Sequence, residues 1–193
     1  MGKTYWMLVT DQANFDITRK NGFSVQGIDT RNRRKAVRMA PDDRVLYYIR
    51  DRRGFGAVAT VTSDYFEQHS RIWKHYRPDE DFPHRVELAP DVVLEPEDYV
   101  DALEIAPTLD YLKKWAPERW ELAFFGMLHI VPQRDFSLLE DEMRRSYEAA
   151  RGRAPREEAP KPAASAAASR RRQKRKAQAT RRRKRTRARA TAR

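Results

Sequence analysis

The residues that most directly suggest chemistry stand in one short stretch, Phe23-Ser24-Val25-Gln26. The stretch follows Asn21-Gly22, a dipeptide typical of turns. An aromatic ring beside a hydroxyl and an amide group can stack on a planar ring and hydrogen-bond to its edge. Stacking of a nucleobase on an aromatic side chain contributes about 1–3 kcal/mol. The alternative is that Phe23 is a core residue that fills one end of the folded domain.

The second feature is an uneven distribution of charge. Residues 151–193 contain 18 Lys and Arg and two Glu, a net charge of +16, whereas residues 1–150 carry 22 basic and 26 acidic residues, a net charge of −4. Blocks of like charge are typical of disordered segments that bind polyanions. We therefore predict a domain over residues 1–150, a disordered linker over 151–169 and a disordered Arg/Lys-rich tail over 170–193. The tail residues predicted to bind phosphates are Arg170, Arg171, Arg172, Lys174, Arg175, Lys176, Arg181, Arg182, Arg183, Lys184 and Arg185.

Nucleic acid is the polyanion that this tail favours. The tail has no aromatic or leucine residues of the kind that anchor peripheral proteins on membranes. A solubility appendage without a partner is the remaining alternative. If about ten of the charges engage phosphates, the slope of log affinity against log salt concentration is about −9. Because phosphates carry no sequence information, such a contact does not depend on the base sequence.

A second group of cations follows the Phe23 stretch. These side chains could clamp the phosphates that flank a bound nucleotide. The alternative is a solvated helix face that pairs with Asp42 and Asp43. The group consists of Arg31, Arg33, Arg34, Lys35 and Arg38.

Motifs for catalysis and for metal binding are not found in the sequence. The chain has no Cys, which excludes disulfides, thiol catalysis and cysteine-based zinc sites. Its four His residues lack metal-ligand spacing, and there is no nucleophile elbow or glycine-rich phosphate loop. We therefore predict a binding protein without metal or cofactor; a hydrolytic or RNA-modifying enzyme with an unrecognised site is the alternative. No apolar run suggests a membrane span or a secretion signal.

The apolar patterns predict many short strands and few helices. Alternating or β-branched runs predict strands at residues 5–10, 45–49, 55–62, 85–88, 91–94 and 127–131. Helices are predicted at residues 31–40, 107–115 and 137–147, the last opened by a capping box at Ser137. This combination is typical of an α+β domain built on a small β-barrel with helical inserts.

Taken in order, several of these segments resemble the EVE domain family over residues 4–147. The sequence departs from that family at Pro41, where a turn glycine is usual, and at Gly27-Ile28-Asp29-Thr30, where a His-Gly-Lys-like stretch is frequent. The segments that carry the resemblance are Tyr5-Trp6-Met7-Leu8-Val9-Thr10, Gly22-Phe23-Ser24-Val25-Gln26, residues 39–48, Gly56-Ala57-Val58-Ala59-Thr60-Val61, Phe82-Pro83-His84-Arg85 and Phe124-Phe125-Gly126.

The resemblance implies a PUA-like β-barrel, related to YTH and ASCH domains, whose pocket takes a flipped, modified nucleobase between aromatic and apolar walls. It implies that the pocket combines the Phe23 loop, the first strand and the segment that begins at Phe82. Trp73, in an insert, is a candidate lid. The pocket residues expected on this basis are Trp6, Thr10, Phe23, Ser24, Val25, Gln26, Trp73, Phe82, Pro83 and Arg85.

We therefore expect a monomeric, non-catalytic reader of a modified base, such as methylated or hydroxymethylated cytosine, whose tail supplies affinity for the phosphates of DNA or RNA. One alternative is a nucleoid or chromatin protein that compacts DNA through its tail. Another is an RNA-binding protein of the PUA-like type. We expect a cytoplasmic protein, on the nucleoid in a bacterium, or a nuclear one in a eukaryote.

Overall fold

The computed structural model describes residues 2–153. The strands are β1 (Tyr5–Thr10), β2 (Val25–Ile28), β3 (Arg44–Ile49), β4 (Gly54–Val61), β5 (Phe66–Glu67), β6 (His84–Val93), β7 (Val100–Asp101) and β8 (Leu128–Ile130). The helices are α1 (Gln12–Lys20), α2 (Arg33–Ala36), α3 (Ala102–Ile105) and α4 (Gln133–Gly152). The predicted linker beyond Arg153 and the whole predicted tail lie outside the described residues.

The strands form one curled sheet. Its order is β2-β6-β4-β3-β1-β8, with β5 beside β6 and β7 beside β4. β1 and β3 are parallel, and the other pairs are antiparallel. The predicted α+β fold with a curved sheet of short strands is confirmed, and the sheet forms a half-barrel where a small β-barrel was predicted.

Both faces of the central strands are buried, because successive side chains of a strand point to opposite faces. On one face, Trp6 and Tyr47 pack with Phe15 of α1. On the other, Met7 and Tyr48 pack against α4. The sheet is thus covered by α1 on one face and by α4 on the other. Among the described residues, no helix has the length and apolarity that crossing a membrane requires.

Helix α1 was not predicted, because its sequence lacks an apolar pattern of helical period. Of its nine residues, the buried ones are Asn14, Phe15 and Thr18, and only Phe15 is apolar. The helix begins at its N-cap Asp11, whose side chain accepts a hydrogen bond from the Asn14 backbone N–H at 2.8 Å. Capping and tertiary packing therefore determine this helix.

Several other predicted boundaries were wrong. The helix predicted at residues 31–40 is a 3-10 turn, capped by the Asp29 side chain, followed by α2, which ends at Ala36 because the next N–H groups, of Arg38 and Met39, bond to carbonyls only three positions back. The helix predicted at 107–115 is replaced by 3-10 turns, since Asp135 accepts the backbone N–H groups of residues 110 and 111. The two strands predicted at 85–94 are one strand, β6, whose pairing with β4 shifts register where Pro90 lies opposite Ala59.

Helix α4 is longer at both ends than predicted. It starts at Gln133, so Ser137 lies inside the helix and is not its cap. It continues to Gly152, so Arg151 and Gly152, which were assigned to the linker, are helical. Arg44 joins the helix to the sheet, with its Nη2 atom 2.8 Å from Oε1 of Glu140.

Candidate nucleic-acid interface

Residues 68–82, hereafter the insert, connect β5 to β6 and pack against β2 and α1 through Trp73. The Trp73 ring is 6% exposed, and its Nε1 atom donates a hydrogen bond of 2.8 Å to Oγ1 of Thr18. A Cβ atom at Gly27 would lie 2.4 Å from the Trp73 ring and 2.8 Å from Cβ of Phe82. The glycine at this position of β2 therefore allows Trp73 to approach the strand.

Arg85 is fully buried beside Trp73. Its Nη1 atom donates to Oε1 of Gln68 at 2.7 Å and to Oγ of Ser70 at 2.8 Å, and its Nε atom donates to the Phe82 carbonyl at 3.2 Å. Its guanidinium carbon lies 5.5 Å from the centroid of the Trp73 ring. Burial lowers the pKa of Arg85, and the nearby Asp81 carboxylate partly opposes this effect. Arg85 thus holds both ends of the insert against β6.

Gln26, in β2, belongs to the group of residues around Trp73, hereafter the Trp73 region. Its Oε1 atom accepts a hydrogen bond of 2.8 Å from the hydroxyl of Tyr47, and its Nε2 atom donates to its neighbour's carbonyl, that of Gly27, at 2.7 Å. Burial raises the pKa of Tyr47, so its hydroxyl remains protonated and able to donate. The amide of Gln26 is therefore held in a fixed orientation.

Two of the expected pocket residues lie in the core on the α1 face. The ring of Phe23 is 3% exposed and packs edge-on against Phe15 and Tyr47, with centroid distances of 5.8 and 5.5 Å. The backbone of Phe23 has a φ of 57°, in the left-handed region. Trp6 is fully buried, and its Nε1 atom donates to Oδ2 of Asp43 at 2.8 Å. Phe23 thus packs on Tyr47, whose hydroxyl holds Gln26, whereas the Trp6 indole is bonded to Asp43.

The remaining expected pocket residues lie around this region. Phe82 is buried, has a φ of 52° and meets Trp73 edge-on at 6.1 Å. Pro83 is buried and accepts a hydrogen bond from the backbone of the insert. Ser24 is exposed, with its hydroxyl 2.9 Å from the Asn21 carbonyl. Val25, in β2, and Thr10, at the end of β1, are partly buried. The structure therefore brings together Gln26, Trp73, Phe82, Pro83 and Arg85.

Two polar residues of α1 belong to the same region, although the sequence analysis did not select them. The Thr18 hydroxyl accepts from Trp73, and the Asn14 amide holds the backbone of Lys74. Oδ1 of Asn14 accepts from the Lys74 N–H at 2.8 Å, and Nδ2 donates to the Lys74 carbonyl at 2.7 Å. The spacing of four residues between Asn14 and Thr18 places both on one face of a helix, a signal that is useful only once α1 is known.

The predicted phosphate-binding cations near α2 are mostly exposed. Within residues 2–153, Arg31, Arg34 and Arg38 form no ion pair, and Arg33 lies 3.5 Å from a carboxylate oxygen of Glu67. Nζ of Lys35 donates to the Leu128 carbonyl at 2.5 Å.

Arg31, Arg34 and Arg38 are solvated, as the alternative of a helix face paired with Asp42 and Asp43 expects, but among the described residues none of them forms an ion pair with either carboxylate. Asp43 is buried and accepts the Trp6 indole and two backbone N–H groups, those of Thr4 and Ala40. The insert adds three exposed cations that the sequence analysis passed over, Arg71, Lys74 and Arg77.

One buried histidine, His84, and one partly buried histidine, His129, make stability depend on pH. Burial lowers the pKa of His84, opposed by Glu67, and burial also lowers the pKa of His129, opposed by the Gly126 backbone. The ordinary value, 6.5, applies to the unfolded chain. The unfolded chain therefore binds more protons below pH 6.5, and the free energy of unfolding falls as the pH drops from 6.5 towards the lowered values.

We expect urea unfolding at about pH 5.5 to have a lower midpoint than at about pH 7.5. The double variant His84→Asn/His129→Asn should reduce this difference, because asparagine keeps a polar group near Tyr65 and Tyr111 without titrating. Equal midpoints at the two pH values for the unsubstituted protein would contradict the prediction.

A separate groove of about 570 Å³ lies among α3 and the 3-10 turns that follow it. It is lined by Leu103, Leu109, Leu112, Trp115 and Trp120, among others, and by none of the expected pocket residues. Within residues 2–153, no group of three or more His, Asp or Glu side chains is arranged to hold a metal ion.

Comparison with known proteins finds relatives of this chain in sequence and in fold. A UPF0310 protein of Pyrococcus abyssi is 23% identical over 146 residues, which covers 71% of this chain and 97% of the relative. The Mmi1 YTH domain in complex with RNA has a TM-score of 0.55 at 10% identity and covers 77% of this chain and 82% of its own. Human THYN1 in complex with 5-methylcytosine containing DNA has a TM-score of 0.50 at 12% identity, over 72% and 98% of the chains.

The two solved structures share the fold with this chain. The family model of the EVE domain matches residues 4–135. The resemblance seen in the ordered sequence segments is thereby confirmed. The chain belongs to the EVE domain family.

Proposed function

We propose that this protein binds nucleic acid without catalysis and holds one modified nucleobase where β2, β6 and the insert meet. The observation that carries the proposal is the gathering of Thr18, Gln26 and Arg85 beside the rings of Trp73 and Phe82. Polar and charged groups weaken a core unless they are hydrogen-bonded. Here each of these groups is hydrogen-bonded within the domain, and we take their concentration beneath a surface insert as support for a site that exchanges some of these partners for a base.

The side chains here match the chemistry of a nucleobase. Aromatic rings and a guanidinium plane can stack on its faces. Amide and hydroxyl groups can hydrogen-bond to its edge, as Asn and Gln do with adenine. A methyl group on the base adds apolar surface, whose burial contributes about 0.8 kcal/mol. Contact of that methyl group with the apolar surface of Phe82 would add to the preference for a modified base.

Structural relatives support a nucleic-acid partner. The Mmi1 YTH domain is in complex with RNA, and THYN1 is in complex with DNA that contains 5-methylcytosine. Both have the fold of this chain. We extend to this protein the coarse property that they share, binding of a nucleic acid, and propose that its base is modified.

Phosphate contacts complete the proposal. Arg31, Arg34 and Arg38 are exposed cations that would hold phosphates beside the bound base. The Lys and Arg residues of 170–185 would add affinity that does not depend on sequence. We propose that the protein acts as a monomer in the cytoplasm, on the nucleoid in a bacterium, or in the nucleus of a eukaryote.

The test is a binding panel with the full chain. Single-stranded oligonucleotides of identical sequence carry cytosine, 5-methylcytosine, 5-hydroxymethylcytosine, adenine or N6-methyladenine at one central position. We expect at least a tenfold preference for one modified base, about 1.4 kcal/mol. Because the tail contacts every oligonucleotide alike, the ratio of dissociation constants reports the pocket. Duplexes should bind less selectively, since flipping a paired base costs a few kcal/mol.

A matched pair of substitutions tests whether the preference for a modified base comes from the proposed site. Gln26→Ala should make the dissociation constants for modified and unmodified oligonucleotides equal. Gln133→Ala, the same change at an exposed position of α4, should leave their ratio unchanged. Thermal unfolding of both variants shows whether each remains folded. Phe23→Ala is less suitable, because it opens a cavity in the core. Equal dissociation constants across the panel would contradict the proposal and leave the tail as the sole nucleic-acid element.

A further inference from the structure

Trp73 contacts the residues that a bound base would be expected to contact. Its indole N–H donates to the Thr18 hydroxyl, its ring faces the Arg85 guanidinium, and Phe82 meets it edge-on. Its ring also approaches Gly27 so closely that any side chain there would collide with it. The indole is planar, bicyclic and carries one N–H donor. It therefore satisfies the same contacts as a planar heterocycle of up to purine size.

Lys74, the residue after Trp73, is also held against α1. The Asn14 side chain forms two hydrogen bonds with the Lys74 backbone, one through each polar atom of its amide. Around this contact the insert is exposed: Ser70, Arg71 and Tyr76 are on the surface, and Tyr76 is 74% exposed. The segment around Trp73 is thus fastened by Arg85, by the Trp73 ring and by the two bonds from Asn14, while two bonds from Thr30 to Glu80 hold the end of the insert that precedes β6.

We propose that Trp73 and Lys74 occupy the base site themselves in the arrangement seen here, so that a base binds only when this segment withdraws. The proposal rests on the function proposed above and adds its regulation. Asn14 acts as the latch that favours the closed form. In a closed–open equilibrium, the apparent dissociation constant is the intrinsic one divided by the open fraction. An open fraction of about one tenth therefore weakens binding about tenfold.

The alternative role for Trp73 is a wall that stacks on the base. The two roles predict opposite effects for Trp73→Ala. A self-occluding residue hinders binding, so its removal should strengthen binding. A stacking wall supports binding, so its removal should weaken it, by the 1–3 kcal/mol typical of base stacking, which is about 5- to 150-fold.

The experiment uses the full chain and two short probes of equal length. One is single-stranded DNA with a central 5-methylcytosine, repeated with N6-methyladenine; the other is an abasic deoxyribose-phosphate strand that offers phosphates alone. We expect Trp73→Ala to bind the base-bearing strands about tenfold more tightly, with affinity for the abasic strand unchanged. Asn14→Ala should act in the same direction with a smaller effect, and it tests the proposal without removing the ring. Trp115→Ala, at a partly exposed position outside the site, is the matched control.

Tryptophan emission supplies a second measurement. Trp73 leaves a buried environment when a base binds, so the difference in emission between the unsubstituted protein and Trp73→Phe should move to longer wavelength on addition of the methylated strand. Weaker or unchanged binding of the base-bearing strands by both Trp73→Ala and Asn14→Ala would overturn self-occlusion while base reading stands. If every form of the protein binds the base-bearing and abasic strands equally, the proposed function fails, and self-occlusion fails with it.

Discussion

Removal of residues 154–193 is expected to weaken binding to duplex DNA about 10³-fold at low salt. Those residues carry 16 of the 40 Lys and Arg of the chain, and residues 1–153 are slightly acidic overall. Each cation that neutralises a phosphate releases counterions, which favours binding most at low salt. The exposed cations Arg31, Arg34 and Arg38 are then the proposed phosphate contacts that remain on the domain.

The measurement is the dissociation constant at several salt concentrations for the full chain and for residues 1–153. The shorter chain is a fair comparison, because residues 2–152 contain both described core clusters. We expect a log–log slope of about −12 for the full chain, of which the tail contributes about −9, and about −3 for residues 1–153. Equal slopes would show that the tail does not contact phosphates. Loss of all binding, including preference for any modified base, would favour the alternative of a DNA-compacting protein that acts through its tail.

Asp43→Ala is expected to lower the free energy of unfolding by about 3–5 kcal/mol. The Asp43 carboxylate is buried and accepts three hydrogen bonds, from the Thr4 N–H at 2.8 Å, the Trp6 indole at 2.8 Å and the Ala40 N–H at 3.2 Å. Alanine leaves all three donors without this acceptor, and each buried unsatisfied donor costs about 1–3 kcal/mol. The loss should appear as a Tm about 10 °C lower.

Two further variants test this explanation of the Asp43 effect. Trp6→Phe removes one donor and keeps the other two bonds, so it should destabilise less than Asp43→Ala. Asp64→Ala removes an exposed carboxylate and should change stability by less than about 0.5 kcal/mol. If Asp43→Ala unfolds at the same denaturant concentration as Asp64→Ala, the carboxylate does not organise the start of β1.

The strands of the domain could be predicted because their apolar residues are continuous in the sequence. The runs at residues 5–10 and 45–49 became β1 and β3, both buried on two faces. α1 could not be predicted in this way. Two of its three buried residues, Asn14 and Thr18, are polar, and their partners Lys74 and Trp73 lie more than 50 positions along the chain.

The residues of the candidate site likewise divide into features that the sequence predicts and contacts that it does not. Phe23 was selected for its neighbours in the sequence, yet its ring packs in the core with Phe15 and Tyr47. Trp73 was proposed as a lid, and the structure buries it against Gly27. Whether either ring meets a base stays a prediction, which the binding panel and the Trp73 variants test.

The acidic domain with its basic extension, the strand-rich fold and the family can be inferred from the order of the residues alone, because charge, apolar runs and ordered motifs are local properties of the chain. Which polar side chains meet depends on how distant segments pack together. Arg85, Gln26, Thr18 and Trp73 come from four separate segments, and their hydrogen bonds exist only when β2, β6, α1 and the insert are packed together. Burial then gives these bonds their importance, since a polar group removed from water must find its partner within the protein.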